Sequence, residues 1–342
     1  RFFQVAELDL SKYAGCIPED VASQNRFPVI KESPYVLTLG PHNYLWLLLK
    51  KEEEAISITS EKAIPELRTQ ANWERILEGE TRKELEDEVL PKYLKNCRWF
   101  GGKAKKIQKV SMVENIPMVK NADVSYGLIL AVRYMEGTQD FYLLPISFAF
   151  TRKAEKALDE FIVEGLSVKL DYDWLTIKAK LIMEEFPQSI IARLYMGEDE
   201  GILYDAAYDS KFRETLLSMI TRRKKIKGYM GELFGFQGKV FRRLIGDHEK
   251  EISLTSQVLK VEQSNTSVLY EDKFYLKLFR NLKEGNNPDR EITQFLTEKA
   301  GFQHTPPFAG TIEYRRPGSE PIVIGLLQGF VQCQGDSWTY SL

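Results

Sequence analysis

The sequence predicts an α+β chain in three parts: strands from a β-sandwich, a domain with an antiparallel sheet and helices, and a smaller sheet with one helix. Three observations predict it. Residues 1–57 hold short β-rich runs, residues 107–150 alternate like long antiparallel strands, and the region after 246 contains five strand-like runs with a helical segment after the third. We place the parts at 1–57, 84–245 and 246–342, with a linker at 58–83.

Composition limits the function classes. The chain is 43% hydrophobic, with a net charge of −2 and a pI near 6.1, so it favours buried cores and has no overall attraction to nucleic acid or an anionic membrane. Three scattered cysteines and three scattered histidines predict neither a disulfide framework nor a metal site. Without a membrane-length apolar run or a signal peptide, we expect a cytoplasmic protein, cut from a larger polypeptide at both ends.

The first part consists of predicted strands at Phe3–Leu10, Tyr35–Leu39 and Tyr44–Leu49. The turn Leu39-Gly40-Pro41-His42-Asn43 predicts a hairpin between the last two. A few strands with wide apolar faces cannot bury themselves, so we expect the tail of a larger sandwich.

The middle part begins with a predicted helix over 85–94, whose apolar positions share one face. Thr81 and Glu84 form a candidate capping box, and Pro91 predicts a kink or break. A meander, the strand Ser189–Leu194 and the helix Asp209–Thr221 follow. The basic, glycine-containing segment 221–243 indicates a mobile connector or a solvated face, with a nucleic-acid patch as the sharper alternative.

The last part has a regular order of elements. Asn287-Pro288 starts its helix, whose predicted inward face is Ile292, Phe295 and Leu296, and Gly301 ends it. The order of strand, polar turn, strand, lysine strand and glutamate helix is that of a protein-kinase-like small lobe. The predicted strands are Ile252–Val261, Ser267–Tyr270, Phe274–Phe279, Gly310–Tyr314 and Pro321–Val331.

Within that order, small polar residues and a strand lysine are candidates for nucleotide binding. Phosphates need backbone N–H groups and small hydroxyls, which the turn supplies, and Lys277 points opposite to Leu276 and Leu278. Glu291 is the preferred carboxylate partner of Lys277, with Glu298 as the alternative. A plain hairpin turn, a solvent-facing lysine and an ordinary edge strand are the simpler interpretations. The candidates are Gln263, Ser264, Asn265, Thr266, Ser267, Lys277, Glu291 and the hinge Gln328, Gly329, Phe330 and Val331.

Several strings then resemble known families. Pro34-Tyr35-Val36-Leu37-Thr38-Leu39-Gly40-Pro41-His42 is similar to the end of the β-sandwich of α-amylase-family trehalose synthases. Trp99-Phe100-Gly101-Gly102-Lys103 resembles the cap of bacterial maltokinases, although two aromatics before paired glycines also indicate a packed corner. The lobe strings that resemble maltokinases are Glu262-Gln263-Ser264-Asn265-Thr266-Ser267, Leu276-Lys277-Leu278-Phe279-Arg280, Asn287-Pro288-Asp289-Arg290-Glu291-Ile292 and Leu327-Gln328-Gly329-Phe330.

The resemblance implies a maltokinase, fused to trehalose synthase, that transfers the γ-phosphate of ATP to maltose with Mg²⁺. It places the base and metal carboxylates in His-Gly-Asp and Asp-Phe-Glu-type motifs of a large lobe, and neither string occurs here. We therefore expect no catalytic or metal residue in this chain, and contacts with that lobe and with the synthase barrel. The full-length fusion protein could also form a homo-oligomer. We expect neither nucleic acid nor a membrane as a partner.

Two other functions stay open. The chain could be a non-catalytic spacer or docking module between two enzymes. It could also be the small lobe of another sugar kinase or of an aminoglycoside-type kinase, because the acceptor site is expected outside this lobe.

Overall fold

The structure is a computed structural model, and it divides into two compact units, residues 1–64 with 333–342 and residues 65–332. Each unit is described by itself. The division at 64/65 falls inside the predicted linker 58–83. The described residues are 4–20, 27–39, 45–51, 64–69, 73–120, 123–152, 160–163, 166–169, 172–245, 254–259 and 264–332.

The first unit contains two antiparallel strand pairs. Strand β1 pairs with β3, and β2 pairs with β4. The hairpin predicted between the third and fourth strands is wrong, since each of them pairs with an earlier strand; the turn 40–43 lies outside the described residues. Cys16, Ile30, Tyr35 and Leu37 form the core. The strands are β1 Gln4–Leu8, β2 Cys16–Asp20, β3 Tyr35–Leu39 and β4 Leu47–Lys51.

The second unit opens with β5 (Glu66–Thr69), a 3₁₀ turn and a helical run. The predicted capping box of Thr81 and Glu84 is wrong, because both residues lie inside the helix. The residue that precedes the first helical turn is Glu78, and its side chain makes no capping hydrogen bond. Pro91 does not break the run, because a π-helical turn precedes it and places it in the first turn of the next segment, where its missing N–H is tolerated. The segments are α1 Gly79–Glu84, the π turn Leu85–Val89 and α2 Leu90–Asn96.

The predicted meander is confirmed and forms most of a seven-stranded sheet in the order β5-β11-β12-β8-β7-β6, with β18 (Asn281–Leu282) also paired to β8. The predicted apolar face of the helical run is buried against this sheet. The strands are β6 Ile107–Lys120, β7 Asp123–Tyr134, β8 Gln139–Arg152, β11 Ile190–Met196 and β12 Asp199–Asp205, and a separate hairpin is β9 Glu160–Val163 and β10 Leu166–Lys169.

Two helices flank this sheet, α3 (Tyr172–Glu185) and α4 (Ser210–Thr221). Asp209 caps α4 by accepting from the Lys211 N–H at 2.8 Å, and it also forms a buried ion pair with Lys178 at 3.1 Å. Burial alone raises the pKa of Asp209, but Lys178 and the Tyr204 hydroxyl outweigh it and hold the pKa below its usual range. In the described ranges no helix has the length and apolar character to cross a membrane.

The second sheet also has seven strands, not the predicted five, in the order β13-β14-β19-β20-β17-β16-β15. The five predicted strands are present; Phe274–Phe279 has its predicted ends, and the ends of the other four differ from the prediction. The helices after β14 and β18 are α5 (Phe241–Ile245) and α6 (Pro288–Glu298). The strands are β13 Lys225–Lys227, β14 Glu232–Gln237, β15 Ser256–Leu259, β16 Asn265–Tyr270, β17 Phe274–Phe279, β18 Asn281–Leu282 (which joins the first sheet), β19 Phe308–Arg315 and β20 Ile322–Gly329.

The two extra strands come from the segment interpreted as a connector. Because β14 pairs with β19, strands from both sides of the predicted boundary at 245/246 share one sheet. Gly235 permits this arrangement, since a Cβ there would overlap the Met219 carbonyl at the end of α4. The connector interpretation of 221–243 is therefore wrong over both strands.

Helix α6 lies on β19 and β20 with a different face from the predicted one. Ile292 and Phe295 are more than half exposed, whereas Thr293 is buried. Thr297 also faces the sheet and accepts from the Phe308 N–H at 2.9 Å. The apolar spacing located the helix correctly but oriented it wrongly.

A buried ion pair joins the two sheets. Arg280 is fully buried; its Nη2 donates to Asp205 at 2.7 Å and its Nε to the Thr266 hydroxyl at 2.8 Å. The guanidinium also lies 4.8 Å from the centre of the Trp99 ring. Burial raises the pKa of Asp205, and Arg280 opposes that rise. Since these residues come from both sheets, they fix one sheet to the other.

Glu114 makes a second polar connection. Its carboxylate accepts from the N–H groups of Tyr229, Met230 and Gly231 at 2.7, 2.9 and 2.9 Å, and from the Tyr314 hydroxyl at 2.6 Å. One carboxylate on β6 thus holds the β13–β14 turn and the end of β19.

We expect Arg280→Met to destabilise the protein by about 3–5 kcal/mol, because it leaves Asp205 buried without its cation. The measurement is urea unfolding followed by circular dichroism. Arg316→Met, which removes an exposed ion pair with Glu284, is the control and should change stability by less than about 1 kcal/mol. Equal effects of the two variants would contradict this role of Arg280.

Glu74 gives a pH-dependent prediction. Burial raises its pKa to about 7, the Tyr126 hydroxyl opposes the rise, and Glu78 adds to it. Between the ordinary value of 4.5 and about 7 the folded state holds a proton that the unfolded state releases, so stability falls as pH rises through this window. Glu74→Gln should therefore raise Tm at pH 8 and change it little near pH 4.5.

Differential scanning fluorimetry across this pH range checks the prediction. Glu88→Gln, at an exposed position of the helical run that follows the 3₁₀ turn of Glu74, is the control and should show no such gain. A gain for Glu74→Gln that is equal at both pH values would rule out ionisation as its cause.

Candidate functional site

The candidate nucleotide site is one face of the second sheet. The register aligns Ser267 with Lys277, and Lys277 with Leu326, so these side chains share a face. Leu276 and Leu278 point to the other face and are buried in the core shared with the first sheet. Lys277 therefore points away from that core, as strand alternation predicts.

Helix α6 supplies the carboxylate that contacts Lys277. Lys277 Nζ lies 3.3 Å from Asp289 Oδ2, and the two side chains are 27% and 51% exposed. Asn287 sets the start of the helix by accepting from the Arg290 N–H at 3.1 Å, with Pro288 following it. This start places Asp289 in the first turn, close to the lysine.

The predicted partners of Lys277 lie elsewhere. Glu291 is exposed two residues along the helix, and Glu298 accepts from the Lys239 N–H at 2.9 Å and from Gln294. The structure thus pairs Lys277 with Asp289, and the predicted pairing with Glu291 is corrected. Asp289 is present in the sequence as a further acidic residue of this helix. Nothing in the sequence indicated how the helix is rotated about its axis, and that rotation decides which carboxylate faces Lys277.

The polar turn is shorter than predicted. Gln263 lies outside the described residues, Ser264 is exposed, and Asn265 already begins β16. Thr266 points to the core side, where its hydroxyl accepts from Arg280. Ser267 shares the face of Lys277, but its hydroxyl accepts from Tyr275 at 2.6 Å. The strand, not the turn, therefore holds Asn265, Thr266 and Ser267.

These contacts test the fit to a nucleotide. Lys277 keeps part of its surface accessible, and Ser264 is exposed just before β16, so both side chains suit a phosphate. Thr266 faces away and is already bonded, so it does not fit that role. The described residues contain no group of three or more His, Cys, Asp or Glu side chains placed to hold a metal. Binding of ATP and Mg²⁺ stays a prediction.

The predicted hinge straddles the end of β20. Gln328 and Gly329 are its last residues, and Phe330 and Val331 follow it. The Gly329 N–H donates to the Pro307 carbonyl at 2.8 Å, and the Phe330 N–H donates to the Lys273 carbonyl at 2.9 Å. Gln328 lies within the sheet, paired with Tyr275 and Phe308, so the backbone of three of the four hinge residues already has partners, and contact with an adenine stays a prediction.

The Trp99–Lys103 string forms a packed corner beside the first sheet. Trp99 and Phe100 are buried, and Phe100 packs on Tyr142 with ring centres 5.0 Å apart. A side chain at Gly102 would overlap the Tyr134 ring. The packed-corner interpretation is confirmed, and the corner also contacts Arg280, a link that the sequence did not reveal.

Comparisons with known families match two parts of the chain. Residues 1–46 match the model of the maltogenic amylase C-terminal domain, and residues 93–209 match the maltokinase N-terminal cap domain. Residues 93–209 are therefore similar to a maltokinase N-terminal cap domain. The match spans most of the first sheet, including the Trp99 corner, β6 to β8, β11 and β12. The predicted resemblances of the sandwich end and of the cap are confirmed, in the predicted order, and the resemblance of the lobe strings at 262–330 stays a prediction.

Curated relatives agree with the first match. Trehalose synthase from Pimelobacter sp. (strain R48) is 45% identical over 49 residues, 14% of this chain and 9% of that protein. Trehalose synthase/amylase TreS from Mycolicibacterium smegmatis is 40% identical over 53 residues, 16% of this chain and 9% of that protein. Trehalose synthase from Thermus thermophilus is 38% identical over 60 residues, 18% and 6% respectively. The chain spans less than a tenth of these relatives.

Among solved structures, two crystal forms of a glucosamine kinase match at 10% identity. The TM-scores are 0.32 and 0.36, over 68% and 70% of this chain and 37% and 39% of those chains.

We expect Asp289→Asn to speed chemical labelling of Lys277, because it removes the carboxylate that holds the ammonium group. A rise of about two- to fivefold suits a partly exposed ion pair. The measurement is the rate of lysine modification by an amine-reactive reagent, read by mass spectrometry. Glu291→Gln is the matched control and should leave the rate unchanged; the reverse pattern would restore Glu291 as the partner.

Proposed function

We propose that this chain is part of a cytoplasmic maltokinase that transfers the γ-phosphate of ATP to maltose, giving maltose 1-phosphate, within a polypeptide that also carries trehalose synthase. One observation carries the proposal: similarity to trehalose synthases and a maltokinase cap occur in one chain, in the order expected of such a fusion. The proposal assigns this chain the cap and the lobe that covers the nucleotide.

Each candidate residue then has a role toward the nucleotide. Lys277 would contact the α- and β-phosphates while Asp289 holds its ammonium group in place. Ser264 and the backbone at the start of β16 would lie over the phosphates, and Gln328–Val331 would face the adenine. ATP with Mg²⁺ supplies the phosphoryl group. No residue of this chain is proposed as the catalytic base or as a metal ligand.

The second candidate function is a non-catalytic spacer or docking module between two enzymes. The buried connections through Arg280 and Glu114 favour it, since they make the cap and the small lobe one rigid piece. A small lobe from another sugar kinase or an aminoglycoside-type kinase is a weaker candidate, because the cap match points to maltokinases.

Lys277→Ala in the full parent polypeptide separates these functions. Removal of a phosphate clamp should lower kcat for ATP-dependent phosphorylation of maltose by about 10²–10³-fold. The measurement is formation of maltose 1-phosphate, followed by ³¹P NMR or a coupled ADP assay. Lys299→Ala, at an exposed position just after α6, is the control and should retain full activity.

Two results would contradict the proposal. An intact parent that phosphorylates other sugars but not maltose would favour another kinase. Unchanged activity in Lys277→Ala would favour the spacer function for this lobe.

A further inference from the structure

A cavity of about 320 Å³ lies between the maltokinase cap and the small lobe, within the second unit. The cap contributes the end of α2, the Trp99 corner and the 3₁₀ turn at Pro187–Ser189. The lobe contributes β15 and the first residues of β16. This volume is at the lower end of the range of small-molecule sites.

The lining has a consistent chemical character. Asn96, Gln188 and Asn265 bring side-chain amides, which both donate and accept hydrogen bonds. Trp99 and Tyr208 bring aromatic surface, and the described lining contains no carboxylate. A cation therefore finds no counter-charge here, whereas a neutral ligand rich in hydroxyl groups finds both donors and acceptors.

The adjacent thiol does not change this character. Burial raises the pKa of Cys97 to about 12, so the group stays a neutral thiol at physiological pH. Arg98, exposed at this site, is the single charged side chain of the lining. Neither group favours a metal ion.

The walls of the cavity are held in place before any ligand binds. Arg280 lies against the Trp99 ring at 4.8 Å and donates to the Thr266 hydroxyl at 2.8 Å, so the aromatic wall and the start of β16 share one buried cation. Tyr142 packs near Trp99 with ring centres 6.1 Å apart. A site fixed in this way loses little entropy on binding.

The cavity lies at the start of β16, and its lining includes neither Lys277 nor Asp289. Thr266 points to the core side, whereas Asn265 points to the face of Ser267 and Lys277, two residues before the position that is aligned with Lys277. A ligand in the cavity would therefore not occupy the place of a nucleotide phosphate next to Lys277.

We propose that this cavity is a second ligand site, for a small neutral saccharide. Hydroxyl-rich ligands match amide side chains, and the non-polar face of a sugar ring packs on aromatic surface. The site stands on its lining and geometry; the choice of maltose and trehalose as probes rests on the proposed function.

Isothermal titration of the full 342-residue chain with maltose and with trehalose, without ATP, tests the proposal. We expect one of them to bind with Kd on the order of 1 mM. Gln188→Ala and Asn265→Ala should each weaken binding about fivefold, as expected for one lost hydrogen bond. Gln108→Ala, an exposed amide on β6 outside the cavity, is the matched control and should bind like the unmodified chain.

Lys277→Ala separates this site from the nucleotide site. It should leave saccharide binding unchanged even where it abolishes the kinase reaction of the parent. Lack of binding by both sugars up to roughly 50 mM would overturn the proposal. So would unchanged affinity in folded Gln188→Ala and Asn265→Ala proteins, or loss of binding in Lys277→Ala.

Discussion

The buried contact between Arg280 and Asp205 is the interaction on which the rest of the second unit depends. A guanidinium group without access to water must find partners for its donors inside the protein, because an unpaired buried charge costs several kcal/mol. Asp205, Thr266 and the Trp99 ring provide them. The same cation thus sets the end of β12, the start of β16 and the aromatic corner, so the two seven-stranded sheets of this unit are joined to each other.

The sequence located the elements of the candidate site better than their contacts. Strand alternation was sufficient to orient Lys277, because side chains in a strand have only two directions. A helix offers more directions, and apolar spacing does not say which neighbour covers the apolar face. Ile292 and Phe295 therefore suggested a rotation of α6 that the structure does not have, and with it the wrong carboxylate. The residue of this helix that is buried against the sheet is Thr293, and a polar residue does not mark the buried face in the apolar pattern.

Composition was least informative where pairing is distant in sequence. The basic, glycine-containing segment 221–243 has the composition of a solvated connector, yet it contributes β13 and β14 to a sheet. Its partner strand is separated from it by β15 to β18 and α6, and no local pattern records such a pairing. Glu114 is similar: a single acid in an alternating strand indicated nothing of the three N–H groups that it accepts from.

This strand order also governs when the protein can fold during synthesis. Strand β14 leaves the ribosome early but has to wait for β19, since its hydrogen-bonding edge stays open until Phe308–Arg315 has emerged. The Glu114 carboxylate can engage the turn at Tyr229–Gly231 in the meantime, because both are already present in the nascent chain. The first sheet would thus hold an incomplete edge strand in position, and so limit its pairing with other chains, until the second sheet is complete.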